Sequence, residues 1–229
     1  METEYRDYAK KEAERIKNEI KGGNFDTVFA FIPDLHYKCI TEMRVTVGNI
    51  ISVINDVNKE QKVDFAGLGG DKTPQALSRL RSDVIDRKPD AVSIFFGNND
   101  AVIGRGEWRD EPLVSPVTFG ENLQWIIHLC RLQGGIRKFS INTLTDRMEG
   151  QQYLDFGDCR GEYCLAARRT ADLMNTLLVP LDAVFRDLRE RNIARISPEG
   201  LLYTRDGIHM NDEGYRIIAE TMLREWNLL

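Results

Sequence analysis

The sequence predicts an α/β fold: one doubly wound αβα sandwich built on a parallel sheet of about five strands. Short apolar runs, typical of buried strands, alternate along the chain with stretches whose apolar residues recur at helical spacing. No linker, internal repeat or low-complexity segment interrupts this alternation. A chain of 229 residues that is 42% hydrophobic can bury one sizeable core. Strands separated by helices pair in parallel through right-handed crossovers. Because the alternation continues without a linker, residues 1–229 are expected to form a single domain.

The individual elements follow from the same patterns. Residues 2–21 are rich in charged and helix-forming residues, with Ile16 and Ile20 at helical spacing and Gly22 and Gly23 as a stop, so they predict an amphipathic helix. The remaining helices are expected at 43–58, 74–85, 119–132, 162–178, 183–191 and 212–226. The strands are expected at 27–32, 63–66, 91–96, 138–142 and 179–181.

Composition and charge exclude several classes of function. With 31 Lys and Arg against 36 Asp and Glu, the formal charge is −5, so no broad basic field exists to bind nucleic acid or an anionic membrane. No apolar stretch is long enough to span a bilayer, and the first residues lack the apolar core of a signal peptide, so we expect a cytoplasmic location. Four cysteines without zinc spacing are expected to be free thiols, and no cofactor is expected.

Polar residues and glycines cluster just after the predicted strands. In a doubly wound sheet, the loops that leave the carboxyl ends of the strands form the ligand crevice. The segments there are 33–36 (PDLH), 67–71 (GLGGD), 97–100 (GNND) and 142–143 (NT), and a further polar segment, 203–211 (YTRDGIHMN), precedes the last helix. Chemistry is therefore expected from these five segments.

Asp206 and His209 are the pair most suited to catalysis. An Asp three residues before a His on a tight turn can hold one imidazole nitrogen and leave the other as a general base. The amide of Asn99 can donate to an oxyanion, and the glycine at Gly70 lets the backbone approach a ligand. Each residue also has an ordinary structural explanation: Asp206 as a turn cap, Gly70 for a positive φ, and Asn99 as a loop support.

Three motifs in order resemble the SGNH (GDSL-type) hydrolases from about Val63 onward: GLGGDKTPQALSRL, FGNND and DGIHMNDEGY. The resemblance implies a flavodoxin-like three-layer fold and hydrolysis of a small acyl or acetyl ester through a Ser-His-Asp triad. It further implies roles for four residues: Gly70 as backbone oxyanion donor, Asn99 as side-chain donor, His209 as base and Asp206 as its orienting acid.

The first block of that family, Gly-Asp-Ser, is not matched. Aligning VFAFIPDLHY on it places Pro33 and Asp34 at the first two positions and Leu35 at the nucleophilic serine. Without a nucleophile no acyl-enzyme forms, so the esterase is expected to be inactive or weak. The other serines offer no evident replacement, since they are predicted in strands, on a helix or before a proline: Ser93, Ser140, Ser78, Ser82 and Ser115.

The segment 24–66 resembles the opening of a calcineurin-like metallophosphoesterase, whose first motifs are Asp-x-His and Gly-Asp. Asp34, His36 and Asp71 would be the corresponding ligands, although too few later histidines exist for a two-metal site. The chain is therefore interpreted as a chimera, natural or engineered: an N-terminal helix (1–23), this segment, and an SGNH-like remainder (67–229). Two alternatives stay open, a non-catalytic recombined scaffold and a remnant mononuclear metal site.

Overall fold

Within the described part of the chain, four parallel strands form one sheet. The computed structural model describes residues 29–31, 66–68, 70–102, 112–145, 149–151, 154, 160–195, 197 and 199–227. The strands are β1 (Phe29–Phe31), β2 (Ala91–Ile94), β3 (Lys138–Asn142) and β4 (Leu177–Val179), in the order β1-β2-β3-β4. The helices are α1 (Thr73–Asp83), α2 (Pro116–Gly134), α3 (Gly161–Leu173), α4 (Leu181–Arg191) and α5 (Asp212–Glu225), with short 3-10 turns at Ile85–Arg87 and Ile193–Arg195.

Helices cover the sheet on both faces, which explains why apolar side chains of the sheet pack on either side of it. Side chains alternate between the two faces along a strand. Val92 and Ile94 of β2 pack in a cluster with α1, α2 and α3, while Phe95 packs in a second cluster with α4 and α5. A parallel sheet buried in this way needs apolar residues on both faces, as the sequence pattern indicated.

Two serines lie inside this sheet and are satisfied by hydrogen bonds. Ser140 of β3 donates to the hydroxyl of Ser93 at 2.9 Å, and the indole N–H of Trp226 donates to Ser140 at 3.1 Å. The amide of Asn142 donates to the same Ser93 hydroxyl at 2.9 Å. These contacts tie the end of α5 to the central strands and leave both serines with structural roles.

The α/β fold with a parallel sheet is confirmed, and β3 occupies the predicted residues. The helix predicted at 162–178 is too long, because α3 ends at Leu173 and Asn175 adopts a left-handed φ of 47° that breaks the helix. The following strand is consequently displaced: β4 spans Leu177–Val179, and Leu181 already begins α4. The predicted helices at 2–21 and 43–58 and residues 63–65 lie outside the described residues, so the division of the chain at 23 and 66 stays a prediction.

Two of the four cysteines are described, and both are buried free thiols, Cys130 and Cys164. Burial raises the pKa of the Cys130 thiol to about 12, which makes it a packing residue rather than a nucleophile. None of the helices in the described ranges is both long and apolar enough to cross a bilayer.

Candidate active site

Asp206 and His209 form a hydrogen-bonded pair on the loop before α5. One carboxylate oxygen of Asp206, Oδ2, pairs with Nδ1 of the imidazole. The other, Oδ1, accepts the backbone N–H groups of Ile208 at 3.0 Å and His209 at 2.8 Å. The Asp206 side chain is 52% exposed and that of His209 only 12%, so the carboxylate faces solvent while the ring is enclosed. This geometry fixes the orientation of the imidazole ring.

The carboxyl of Asp206 is held in its charged form. Burial alone raises its pKa, but the hydrogen bonds from the His209 N–H, the His209 ring and the Ile208 N–H together outweigh burial and lower the pKa below the ordinary aspartate value. A carboxylate that stays ionised can stabilise an imidazolium as it forms. The pair therefore has the electrostatics of a base and its orienting acid.

A buried glutamate that the sequence analysis did not single out holds this loop from the inside. Glu149 is 3% exposed and accepts hydrogen bonds from the backbone N–H groups of Leu202, Tyr203 and Thr204. It lies in the irregular segment between β3 and α3, where a single Glu matches no motif. Only the folded chain brings it to residues that are more than fifty positions away in sequence.

Asn99 and Gly70 also lie close together. The side-chain amide of Asn99, just beyond β2, donates to the backbone carbonyl of Asp71 at 3.0 Å. Gly70, the residue before, has a φ of +80°, and a Cβ there would meet nothing within 4 Å. The glycine is therefore required by its backbone conformation and not by crowding. The hydrogen bond to the Asp71 carbonyl orients the Asn99 side chain beside the segment that contains Gly70.

A buried carboxylate supports the loop that carries Asn99. Asp100 is fully buried and accepts from the N–H of Thr73 at 3.1 Å and from its hydroxyl at 2.5 Å, while Asn122 of α2 donates to that hydroxyl at 2.9 Å. Burial raises the pKa of Asp100, and the hydrogen bonds from Thr73 oppose that rise. This network fastens the end of β2 to the start of α1 and so holds Asn99 near Gly70.

Of the three candidate metal ligands, Asp71 lies in the described part of the chain. Asp71 is bonded by the Arg79 guanidinium at 2.7 Å, so its carboxylate is already neutralised by a cation. Within the ranges that the structure describes, no three His, Cys, Asp or Glu side chains are grouped as a metal site. Asp34 and His36, together with Leu35 at the nucleophile position, lie outside the described residues.

The five serines considered in the sequence analysis are engaged elsewhere in the structure. Ser115 caps α2, accepting the N–H of Thr118 at 3.1 Å. The exposed hydroxyls of Ser78 and Ser82 donate to the backbone carbonyls of Gln75 and Arg79. Together with the two serines inside the sheet, these contacts give each described serine of the sequence analysis a structural role.

The family model described as GDSL-like Lipase/Acylhydrolase family matches residues 48–217. Among curated proteins, the chain is 28% identical over 172 residues to the uncharacterized lipoprotein YqeF of Bacillus subtilis (strain 168), covering 68% of this chain and 69% of that protein. The match to the family model begins at residue 48, before the junction predicted between residues 66 and 67, and continues across that junction. The comparisons therefore give no support to a metallophosphoesterase origin for residues 24–66.

Solved structures with the same fold include several esterases. An acetyl xylan esterase, AlAXEase, is 25% identical with a TM-score of 0.68, covering 86% of this chain and 98% of that one. The acetylxylan esterase Axe2 of Geobacillus stearothermophilus is 21% identical with a TM-score of 0.64, covering 87% and 93%. A putative GDSL-like lipase of Parabacteroides merdae ATCC 43184 is 18% identical with a TM-score of 0.66, covering 91% and 99%. Axe2 structures described as catalytic mutants replace a serine, or an aspartate and a histidine that are three residues apart.

Proposed function

Since the chain belongs to the GDSL-like lipase/acylhydrolase family, we propose that it carries an ester-hydrolase site for small acyl esters, acetyl esters in particular, whose nucleophile position is occupied by Leu35. His209 is the general base and Asp206 its orienting acid. The observation that carries this proposal is the Asp206 carboxylate, which contacts both the ring and the backbone of His209. Two backbone N–H groups hold the Asp206 carboxylate, and its other oxygen orients the ring, a contact that a turn cap does not require.

The spacing of the pair supports the same assignment. In Axe2, the aspartate and the histidine replaced in catalytic mutants are three residues apart, as Asp206 and His209 are here. The acetyl group is proposed as the acyl part because AlAXEase, at 25% identity, is an acetyl xylan esterase.

Gly70 and Asn99 are proposed as the oxyanion donors. The contact between Asn99 and the carbonyl of Asp71 keeps its amide beside the Gly70 backbone. Donors that are fixed before the reaction lower the barrier because they need no reorganisation when charge develops on the carbonyl oxygen. The Asp100 network described above supplies that fixation.

The leucine at position 35 determines how much activity is expected. A leucine side chain offers no oxygen or sulfur atom to attack an ester carbonyl, so no acyl-enzyme forms. The remaining path is attack by a water molecule that His209 deprotonates, with the oxyanion donors in place. Sites that lack the nucleophile retain only the contribution of binding and oxyanion stabilisation, about 10³ to 10⁴ over water.

The test is hydrolysis of p-nitrophenyl acetate by the parent chain and by Leu35→Ser, each also with His209→Ala. Leu35→Ala is the matched control, because it removes the leucine without adding a nucleophile. His128→Ala is the control for histidine removal, since His128 is exposed on α2. We expect Leu35→Ser alone to gain turnover, and the gain to be lost with His209→Ala but kept with His128→Ala.

Three outcomes would contradict the proposal. If the parent turns over p-nitrophenyl acetate as fast as Leu35→Ser, at a rate that needs His209, another nucleophile exists and the role given to Leu35 is wrong. If Leu35→Ser folds but gains no turnover, the crevice is not a competent esterase site, and the non-catalytic scaffold becomes the better description. A gain that survives His209→Ala would refute the assignment of the base.

A further inference from the structure

Glu149 is bound by a dense set of donors from the loop that leads into the catalytic pair. Its Oε1 accepts the N–H of Leu202 at 2.6 Å and that of Tyr203 at 2.9 Å. Its Oε2 accepts the N–H of Tyr203 at 2.9 Å, the N–H of Thr204 at 2.7 Å and the hydroxyl of Thr204 at 2.6 Å. One carboxylate thus satisfies three consecutive peptide N–H groups and a side chain.

Such a carboxylate is costly to bury unless it is fully compensated. Glu149 is 3% exposed, and the donors of residues 202–204 provide the compensation. The dependence is mutual, because these backbone N–H groups would also lose their acceptor without the carboxylate. The charge and the loop conformation therefore stabilise each other.

Thr204 transmits this constraint into the turn that holds the pair. Its side chain is 1% exposed, and its hydroxyl donates its single hydrogen to Glu149. The same oxygen then accepts the N–H of Gly207 at 3.0 Å. Gly207 directly follows Asp206 and lies two residues before His209, so a continuous path runs from Glu149 through Thr204 to the residues that orient the imidazole.

The loop is closed on its other side as well. The N–H of Arg205 donates to the carbonyl of His209 at 2.7 Å, and Thr204 and Met210 form an antiparallel bridge. The segment 204–210 is therefore a small closed unit whose inner end is attached to Glu149. A displacement of Thr204 must move the unit that carries His209.

We propose that Glu149 is a positioning residue for the Asp206–His209 pair, an inference that rests on the proposed function of that pair. Glu149 acts through Thr204 and Gly207 and has no role in the reaction itself. Its carboxylate fixes the inner end of the loop so that Asp206 meets Nδ1 of the ring. The consequence is that changes at Glu149 alter the state of the His209 ring and not only the stability of the protein.

The readout is the proton on Nδ1 of His209, observed by NMR in ¹⁵N-labelled protein. A ring N–H bonded to a carboxylate gives a far-downfield signal, which is available whether or not the parent chain turns over an ester. His209→Ala assigns the signal, and Asp206→Asn shows what it becomes without the carboxylate. The test variant is Glu149→Gln, which keeps the shape of the side chain but replaces one acceptor oxygen with an amide NH₂ that opposes the loop N–H groups.

The expected result is that the signal weakens, shifts or exchanges with water in Glu149→Gln and is unchanged in Glu121→Gln. Glu121 is the matched control because it is exposed on α2. In the Leu35→Ser background, Glu149→Gln is expected to lower kcat about tenfold to hundredfold, with a smaller change in KM, since a misplaced base slows proton transfer more than it weakens binding.

Thr204 provides a second test that does not depend on how well Glu149→Gln folds. Thr204→Val keeps the shape but removes the hydroxyl, whereas Thr204→Ser keeps the hydroxyl. We expect the valine variant to lose the signal and the serine variant to retain it. An unaltered Nδ1 signal in folded Glu149→Gln, or in folded Thr204→Val, would overturn the positioning role.

Failure of the proposed function would give a different result in the same NMR experiment. If the downfield signal is absent from the parent chain, or persists in His209→Ala, then the Asp206–His209 contact itself is not formed and the catalytic pair is wrong. If the signal is present in the parent and insensitive to both Glu149 and Thr204, then the pair stands and only the role of Glu149 falls.

Discussion

Arg160 donates from one guanidinium nitrogen to the side-chain oxygen of Asn98 at 2.7 Å and to the backbone carbonyl of Thr145 at 2.6 Å. Arg160 is 3% exposed and directly precedes α3, while Asn98 is the neighbour of Asn99. The bond therefore connects the segment after β3 to the loop after β2. These are two of the loops that form the carboxyl edge of the sheet.

Replacing Arg160 by Met is expected to destabilise the fold. The substitution leaves the buried carbonyl of Thr145 without this donor, and an unsatisfied buried group costs about 1–3 kcal/mol. Arg169→Met on α3 is the matched control, because Arg169 is exposed. Urea denaturation measures the unfolding free energy of both variants. Equal unfolding free energies for the two variants would show that the Arg160 contacts contribute nothing.

Asp206 is expected to give a pH-dependent contribution to stability. Its pKa is lowered in the folded protein, so its contribution is present above the unfolded-state pKa and is lost as the pH falls through the lower folded value. The difference in unfolding free energy between the parent and Asp206→Asn should be constant above about pH 5 and shrink below about pH 4.

Asp212 supplies the control for that experiment, because its contribution to stability is expected to have the opposite pH dependence. Burial raises the pKa of Asp212, so its contribution is present at low pH and is lost as the pH rises through the folded value. The difference in unfolding free energy between the parent and Asp206→Asn, and that between the parent and Asp212→Asn, should therefore change with pH in opposite directions. Parallel slopes would contradict the assigned hydrogen bonds of Asp206.

The Asp100–Thr73 contact is expected to stabilise the loop beside Asn99. Asp100→Ala removes the acceptor of the Thr73 N–H and hydroxyl, for an expected loss of about 1–3 kcal/mol. Asp100→Asn keeps one acceptor oxygen and resembles the neutral acid that burial favours, so it should lose less. Thermal or urea unfolding ranks the variants, and an asparagine variant as unstable as the alanine variant would refute this explanation.

Gly97 is expected to tolerate no side chain. It has a φ of +118°, and a Cβ there would lie 2.7 Å from Cδ1 of Leu144, which is fully buried. Strain of this kind costs about 1–3 kcal/mol, so Gly97→Ala should lower the unfolding free energy by that amount. Gly161→Ala is the control, since a Cβ at Gly161 meets nothing within 4 Å. Equal stability of the two variants would show that Leu144 yields to the added methyl group.

The strands and helices that the sequence predicted correctly are those with a strong local signal. Residues 138–142 form β3 as predicted because Phe139 and Ile141 alternate with polar residues, which is the two-residue period of a strand. The boundary between α3 and β4 was misplaced because the sequence from Leu173 to Leu178 suits a helix as well as a strand. Asn175, with its left-handed φ, decides between them, and that conformation depends on the packing of the neighbouring elements.

The candidate site divides in the same way. Asp206 and His209 were predictable because three residues of sequence place them within reach of each other, so their contact is local. Glu149, Arg160 and Asp100 were not predictable as supporting residues, since each binds a partner at least 27 positions away in sequence. No motif marks such residues, because their roles depend on where the sheet brings distant loops together.

The sequence by itself determined the α/β class, the order of the strands along the chain and the Asp206–His209 pair. Each of these depends on side-chain periodicity or on a few neighbouring residues. Only the tertiary structure decided that Asp71 is paired with Arg79, that Asn99 is fixed to the Asp71 carbonyl, and that a buried Glu149 binds the N–H groups of residues 202–204. The physical reason is that buried polar groups must find partners, and those partners are set by the packing of distant elements rather than by sequence spacing.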